Sequence, residues 1–543
     1  MIAKKTFLQL LFVFLFLLIF SQFTHANNPY LIFHLDAVSS EVFYRELEDG
    51  NLPNIEEIFE GGNMIRYGLT LFPGGTEVIV PRLPYGYSNA ENPLVGWSFY
   101  DAKEERVVND LEVFLKKFRE IPRINRANYI HGIPGLDFLA GLSIYNIPAL
   151  LEDYAVLEFY YFVTDSVGHI FGEKKHLEKL HQFDRYLGKL NKKMDLRNVN
   201  IVLYSDHGMV YNDVYTIDTK YIMDSDFAEY IKYYHYPNLY LKNNYSASEI
   251  ANLLASKGIF DIVLYRKNAC AIEDQEVIGY TEQGKLKISS INGKFSYQYT
   301  ADDYFSYYEE GYNGEYLDSY QWLDLTRDSR YPGAIVNLYN YMLNPNTGDI
   351  VTILNPPKQP KTVDFYKGNH TGITSEDLLI PILYKGPDLE ELYDIDALYL
   401  HKLYTEIIPE SKELRRTPER EKHSISFISN GDSSDLHFSL SPAYRTKLDI
   451  KYSNDTQSIA YHYDLFTSFL TRVWLGPALI NTDSNCKLTI SLQTEIKIDR
   501  LSLLINRNFF FDESTKLSLV YDLNNDFSII YSNTGKFGLR YEF

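Results

Sequence analysis

The sequence predicts an α/β protein, a mostly parallel sheet with helices on both faces, followed by an all-β domain without helices. Three observations carry that expectation. Short apolar runs end abruptly in acid or imidazole side chains, as where Ile201-Val-Leu-Tyr-Ser205 leads into Asp206-His207-Gly208. A strand buried on both faces reads as such a run, and parallel sheets deliver functional groups at their carboxyl edge. Between the runs lies a helical period, in which Leu177, Leu180, Phe183, Leu187 and Leu190 give residues 173–192 one apolar face. Beyond residue 424 the period becomes two, the spacing of strands with one apolar side.

The 543 residues suffice for two or three domains. A content of 45% hydrophobic and 15% aromatic residues supplies material for a core. A net charge of −20 excludes nonspecific nucleic-acid binding, which needs basic patches to displace counterions. Cys270 and Cys486 lie 216 residues apart, so they build neither a disulfide framework nor a cysteine metal site. At the N-terminus, Lys4 and Lys5 precede a 14-residue apolar run from Phe7 to Phe20, then Thr24-His25-Ala26. That run is shorter than the ~20 residues needed to span a membrane. Residues 1–26 therefore read as a cleaved secretory signal, and the mature chain begins near Asn27.

In chain order, Tyr30-Leu-Ile-Phe-His-Leu-Asp36 is the first buried strand, ending in a carboxylate, with His34 set aside as a packed core residue. Leu52 to Phe59 reads as a helix, with Pro53 at its start and Gly61-Gly62 past its end. Tyr67 to Phe72 is a strand stopped by Pro73. Gly74-Gly75 make a tight turn, and Thr76 stands where a helix begins, as an anion-site hydroxyl or as a mere cap. Leu157 to Asp165 reads as another strand ending in an acid, with Gly168-His169 one turn later. The Tyr-rich stretch 215–366, with a helix over Ala247 to Lys257, is expected to contain an inserted cap walling a substrate cleft. Gly368-Asn369-His370-Thr371-Gly372 then precedes an apolar strand, Leu378 to Tyr384. The catalytic domain is expected over 27–412, and the charged run 413–423 as a linker.

Asp36, Thr76, Asp165, His169, Asp206, His207 and His370 thus place oxygen and nitrogen donors beside strand ends, enough for two metal ions. Their order and contexts resemble the alkaline phosphatase superfamily, and within it the type I phosphodiesterase/nucleotide pyrophosphatase branch. The resemblance runs from Tyr30 to Pro387 through Phe72-Pro-Gly-Gly-Thr76, Asp165-Ser-Val-Gly-His169, Ser205-Asp-His-Gly208 and Gly368-Asn-His370. It implies an alkaline-phosphatase-like fold and two zinc ions, one on Asp165, His169 and His370, the other on Asp36, Asp206 and His207. It also implies Thr76 as the nucleophile, which contacts the second zinc and passes through a phospho-threonine intermediate. The expected partner is a small phosphate ester, with no nucleic acid. One departure stands out: Gly96-Trp97-Ser98-Phe99-Tyr100-Asp101 keeps the family's frame with Trp97 where an asparagine supports the phosphoryl oxygen. Arg82 is the candidate replacement contact, since a guanidinium suits phosphate. The alternatives are a phosphomonoesterase or phosphotransferase of the same superfamily, and an inactive binding module on the same fold.

For 424–543 the alternation predicts a meander of about eight strands. A small outer-membrane barrel and a soluble sandwich alternate alike. The ending Gly538-Leu-Arg-Tyr-Glu-Phe543 resembles the terminal strand of bacterial outer-membrane proteins and turns the expectation toward the barrel. The protein is then exported, periplasmic or at the cell surface, and anchored in the outer membrane.

Overall fold

A computed structural model describes residues 28–80, 83–113, 133–153, 156–211, 215–217, 222, 226–267, 275–360, 366–408, 423–429, 433–440, 446–453, 456–467, 470–482, 485–509, 515–524 and 527–542. The expected signal, most of the expected linker, Arg82, Cys270 and Phe543 lie outside the described residues. The chain divides into two units. One comprises Tyr30–Ala140 and Glu158–Arg416; the other comprises Gly141–Leu157 and Thr417–Phe543, together with Met1–Pro29.

The first unit is built on a six-stranded sheet. Its strands are β1 (Tyr30–Leu35), β2 (Asn63–Leu69), β3 (Val156–Tyr161), β4 (Asn200–Ser205), β5 (Leu379–Lys385) and β6 (Ala397–Tyr399), in the order β6-β2-β5-β4-β1-β3. β1 and β4 are buried at every position and pair in parallel, as their apolar runs predict. The sheet is mixed, because β5 runs antiparallel to both β4 and β2. Helices α1 (Ser40–Glu48), α2 (Pro53–Phe59), α3 (Thr76–Ile79), α4 (Val163–Phe171) and α5 (Glu173–Lys193) connect the strands. The apolar stripe of α5 packs Phe183 edge-on to Phe33 at 5.6 Å. α5 also caps its neighbour. Leu52, at the N-cap of α2, offers no side-chain bond, and Asp184 of α5 accepts from Asn54 N at 3.0 Å and Ile55 N at 2.9 Å instead.

One sequence expectation is corrected here. The strand expected to end at Asp165 ends at Tyr161, and Asp165 belongs to the first turn of α4. From Phe159 to Val163 the run is apolar across the change, so nothing in its composition marks where the strand ends. The stretch 215–366, expected to contain an inserted cap and a helix over Ala247 to Lys257, holds a seven-stranded sheet between Ile231 and Ile353. Its core is continuous with the first sheet: Leu69 and Phe72 share one apolar cluster with Tyr297, Trp322 and Tyr341. Tyrosine alternating with polar residues, as in Ser296-Tyr-Gln-Tyr-Thr300, hid the last of these strands from a reading of apolar runs.

In the second unit, ten antiparallel strands close a barrel, where about eight were expected. They are β7 (Ser424–Ser429), β8 (Ser434–Leu440), β9 (Thr446–Ser453), β10 (Thr456–Thr467), β11 (Thr471–Thr482), β12 (Asn485–Ile498), β13 (Leu501–Phe509), β14 (Thr515–Asp522), β15 (Phe527–Ser532) and β16 (Phe537–Glu542). The first and last strands pair from Ser424↔Glu542 to Ser429↔Phe537, which closes the sheet and excludes the sandwich. Asn146 belongs to this unit. Its amide donates to Lys497 O at 2.8 Å and accepts from Asp499 N at 2.6 Å, holding the β12–β13 turn. No helix among the described residues is long and apolar enough to cross a membrane.

Candidate active site

Strand register gathers the candidate residues on one edge. β1 and β4 align Leu35 with Ser205, so Asp36 and the Asp206-His207 pair leave the sheet side by side. β5 is antiparallel, with Ile382 opposite Tyr204, so its amino end lies at that same edge. The loop preceding β5 therefore delivers His370. Two bonds seat that loop: Gly208 N donates to Asp377 O at 2.9 Å, and Val210 N donates to Asn369 O at 2.9 Å. The approach demands glycine at 208, because a Cβ there would meet Glu376 O at 1.8 Å. β2 ends at this edge too, and Thr76 follows it after a turn in which Gly74 has φ +64°. Gly75, not Thr76, is the N-cap of α3, and Thr76 is its first residue.

Two groups of ligand atoms result, each with all atoms within 4.8 Å of one another: Asp36, Asp206 and His207, and Asp165, His207 and His370. His207 Nε2 lies 3.4 Å from Asp36 Oδ1 and 3.7 Å from Asp206 Oδ2. His169 joins the second group through Asp165, with Nε2 3.1 Å from Oδ1. The two residues are one helical turn apart on α4, which is why they meet. His370 Nε2 lies 3.7 Å from the same oxygen, and its ring stacks on His207 at 3.9 Å. The Thr76 hydroxyl is 3.2 Å from His207 Nε2 and 3.5 Å from Asp36 Oδ1.

The donor chemistry suits divalent metal ions. His169 Nδ1 lies 2.7 Å from Gly368 O, and His207 Nδ1 lies 2.9 Å from Gly208 O. A carbonyl only accepts, so each Nδ1 carries a proton, and Nε2 is the nitrogen that faces the cluster and could bind a metal there. Asp165 Oδ1 and Asp206 Oδ2 are buried and make no hydrogen bond among the described residues. Burial raises the Asp165 carboxyl, but the facing imidazoles, His169 first, outweigh it and hold it at about 2. Asp206 likewise stays ionised against its burial, through His207 and His34. Burial, then the neighbouring imidazoles, lowers the His370 pKa well below its usual value, keeping the ring neutral. Buried carboxylates facing imidazoles, without a lysine or arginine partner among the described residues, make a donor set that suits a cation.

Two contributors were missed in the sequence. His34 is a packed core residue, sandwiched between Tyr160 at 4.3 Å and Tyr204 at 4.7 Å, yet its Nε2 also lies 3.2 Å from Asp206 Oδ1. The Tyr160 hydroxyl donates to Asp36 Oδ2. Spacing two ahead of Asp36 was the one available hint for His34; none pointed to Tyr160. Trp97 is 38% exposed in the segment before a short hairpin.

The family model described as type I phosphodiesterase/nucleotide pyrophosphatase matches residues 70–268, a span that holds Thr76, Asp165, His169, Asp206 and His207. The family resemblance read from the motifs therefore stands. Asp36 and His370 lie outside that span, and strand register joins them to it. No curated protein matches the chain. Among solved structures, murine ectonucleotide pyrophosphatase/phosphodiesterase 5 is 14% identical with a TM-score of 0.44, covering 69% of this chain and 93% of its own. Its inactive threonine-to-alanine variant in complex with AMP gives 14%, 0.46, 72% and 96% in the same terms. The human counterpart gives 13%, 0.44, 69% and 92%.

Proposed function

We propose that the chain is an exported, zinc-dependent phosphodiesterase of the nucleotide pyrophosphatase type, working through a phospho-threonine intermediate on Thr76. One observation carries the reading: two carboxylate–imidazole groups meet at His207, and a buried threonine hydroxyl lies 3.2 Å from that same imidazole. Asp36, Asp206 and His207, with the Thr76 hydroxyl, would hold one zinc; Asp165, His169 and His370 would hold the other. Bound there, the two ions would supply Lewis-acid polarisation of the phosphoryl oxygens and a lowered pKa for a coordinated hydroxyl.

The remaining work falls to the chain. Tyr160 and His34 fix the outer oxygens of Asp36 and Asp206, so the inner oxygens stay aimed at the cluster. Thr76 is 8% exposed, which limits competing water at the nucleophile. Its Oγ1 gives up its proton and bonds to phosphorus while the bond to the leaving oxygen breaks, the leaving group departing with the electron pair and, where it is an alkoxide, taking up a proton from water. Water then cleaves the phospho-threonine, restoring the hydroxyl and releasing the phosphorylated product. The leader-like residues 1–26 support export to the periplasm or cell surface.

Chromogenic phosphate diesters and monoesters, assayed side by side with zinc present, give the test. Diester turnover should dominate, and Thr76→Ala should lower it by about 10³-fold or more while zinc stays bound. Thr76→Ser should keep part of it. Turnover by Thr76→Ala at the parent rate would remove the covalent route. A monoester preference would instead link Trp97 to a different substrate class.

A further inference from the structure

We propose that residues 424–542 are a lipid-embedded anchor, a barrel whose outer face lies among bilayer acyl chains and whose lumen is plugged by its own charged side chains. The proposal is independent of the hydrolase reading. It rests on the direction of the polarity. In a water-soluble barrel the inward positions are apolar and the outward ones polar; here the order is reversed. On β9, Leu448, Ile450 and Tyr452 alternate with Lys447, Asp449 and Lys451, and Asp449 is 1% exposed while Tyr452 is 57% exposed. On β14, the exposed Leu517, Leu519 and Tyr521 alternate with Ser518, Val520 and Asp522, of which Val520 is fully buried. Elsewhere in the barrel most of the buried side chains are polar, Ser426, His462, Gln493, Ser502 and Ser528 among them, with Trp474, Ile480 and Ile530 the larger apolar exceptions.

The apolar belt is interrupted only at β8, whose Leu436 and Phe438 are half-buried. Nine of the ten strands carry an exposed large apolar or aromatic side chain, from Phe427 on β7 to Phe537 and Leu539 on β16. Soluble monomers rarely expose contiguous apolar patches beyond ~300–600 Å². A second copy of the chain would cover one flank of such a belt and leave the rest in water. Acyl chains cover it on every side. Ring closure between β7 and β16 leaves no open sheet edge, the condition for a sheet to cross hydrocarbon. The height fits where the wall is tallest. On β12 the outward apolar positions run from Leu488 to Ile498, ~34 Å along the strand at ~3.4 Å per residue. At the usual tilt this is ~25 Å, the height of the lipid-facing band of outer-membrane barrels. β15 and β16, of six residues each, make a lower wall opposite.

The lumen is bridged by bonds that skip strands. Lys447 Nζ on β9 donates to Gln493 Oε1 on β12 at 3.0 Å, with two strands between them. Lys497 Nζ reaches past β13 to Asp522 Oδ2 at 2.8 Å, and Lys536 Nζ reaches past β7 to Asp435 Oδ1 at 2.7 Å. A barrel of this strand number has an interior that side chains can fill. The fold tethers and does not conduct. With an even number of strands, Ser424 and Glu542 emerge at one rim, which also carries the Asp499-Arg500 turn held by Asn146. That rim faces water.

The test uses the full chain, purified in detergent, mixed with phosphatidylcholine vesicles and floated through a urea-containing density gradient after detergent removal. The parent should float and resist alkaline carbonate. Ile490→Arg and Leu519→Arg, both at exposed mid-strand positions, should each lower the ratio of bound to free protein about 30-fold or more. Leu519→Phe should float like the parent, showing that loss by the arginine variant is not general misfolding. Parent protein that stays a discrete monomer or dimer in detergent-free buffer overturns the proposal, as do arginine variants that float normally. Steady ion conductance in a planar bilayer overturns the plug.

Discussion

Asp377 shows how a residue that touches no substrate shapes the pH response. It is fully buried, and burial pushes its carboxyl up to about 6, against the bonds it accepts from the Thr374 hydroxyl and Gly372 N. Because the folded value lies above the unfolded one, the stabilisation is complete below about pH 4 and is lost as pH rises through about 6. The shift corresponds to about 3 kcal/mol. Asp377→Asn removes the ionisation, so its melting temperature relative to the parent should climb between about pH 4 and pH 7. A difference that stays flat across that window would mean the carboxyl is not buried in the folded state. At this scale the candidate ligands were legible because each sits beside a recognisable strand or turn in sequence. His34 and Tyr160 were not, since what they touch depends on which strand lies alongside β1, and no local pattern encodes that.

Among elements, α5 was read almost to its ends because a 21-residue amphipathic period is hard to mistake. Its role as the cap of α2 was invisible, being made by Asp184 across 130 residues of chain. Asp184→Ala should lower the stability of the first unit by about 1–3 kcal/mol, through the unmet N–H groups of Asn54 and Ile55. Urea denaturation followed in that unit would measure it, and bound metal at low urea should not change. A midpoint equal to the parent's would mean that water replaces the carboxylate at no cost. The misread strand before Asp165 has the opposite lesson. Strand and helix both continue an apolar run, and only the four-residue step from Asp165 to His169 distinguishes them.

For the whole molecule, two compact units predict two separable unfolding transitions, of which only one should respond to metal. In detergent, the purified protein should contain close to two zinc ions per chain. Chelation should lower one calorimetric transition by several degrees and leave the other in place. A single transition that moves as a whole would show the units to be energetically fused. The switch of hydrophobic period near residue 424 marked an all-β segment, and the terminal strand turned the expectation toward a barrel, whereas the alternation left the sandwich open and did not yield the count of ten strands. The first unit is less divisible than its two sheets suggest. Phe72, four residues before Thr76, meets Tyr341 edge-on at 5.0 Å inside the cluster that both sheets share. Close-packed interiors transmit displacement, so residues 231–353 are no interchangeable cassette. Recombination that imported a relative's version would unseat the turn that carries Thr76, so change in residues 231–353 would have to arise by point substitutions that keep this packing.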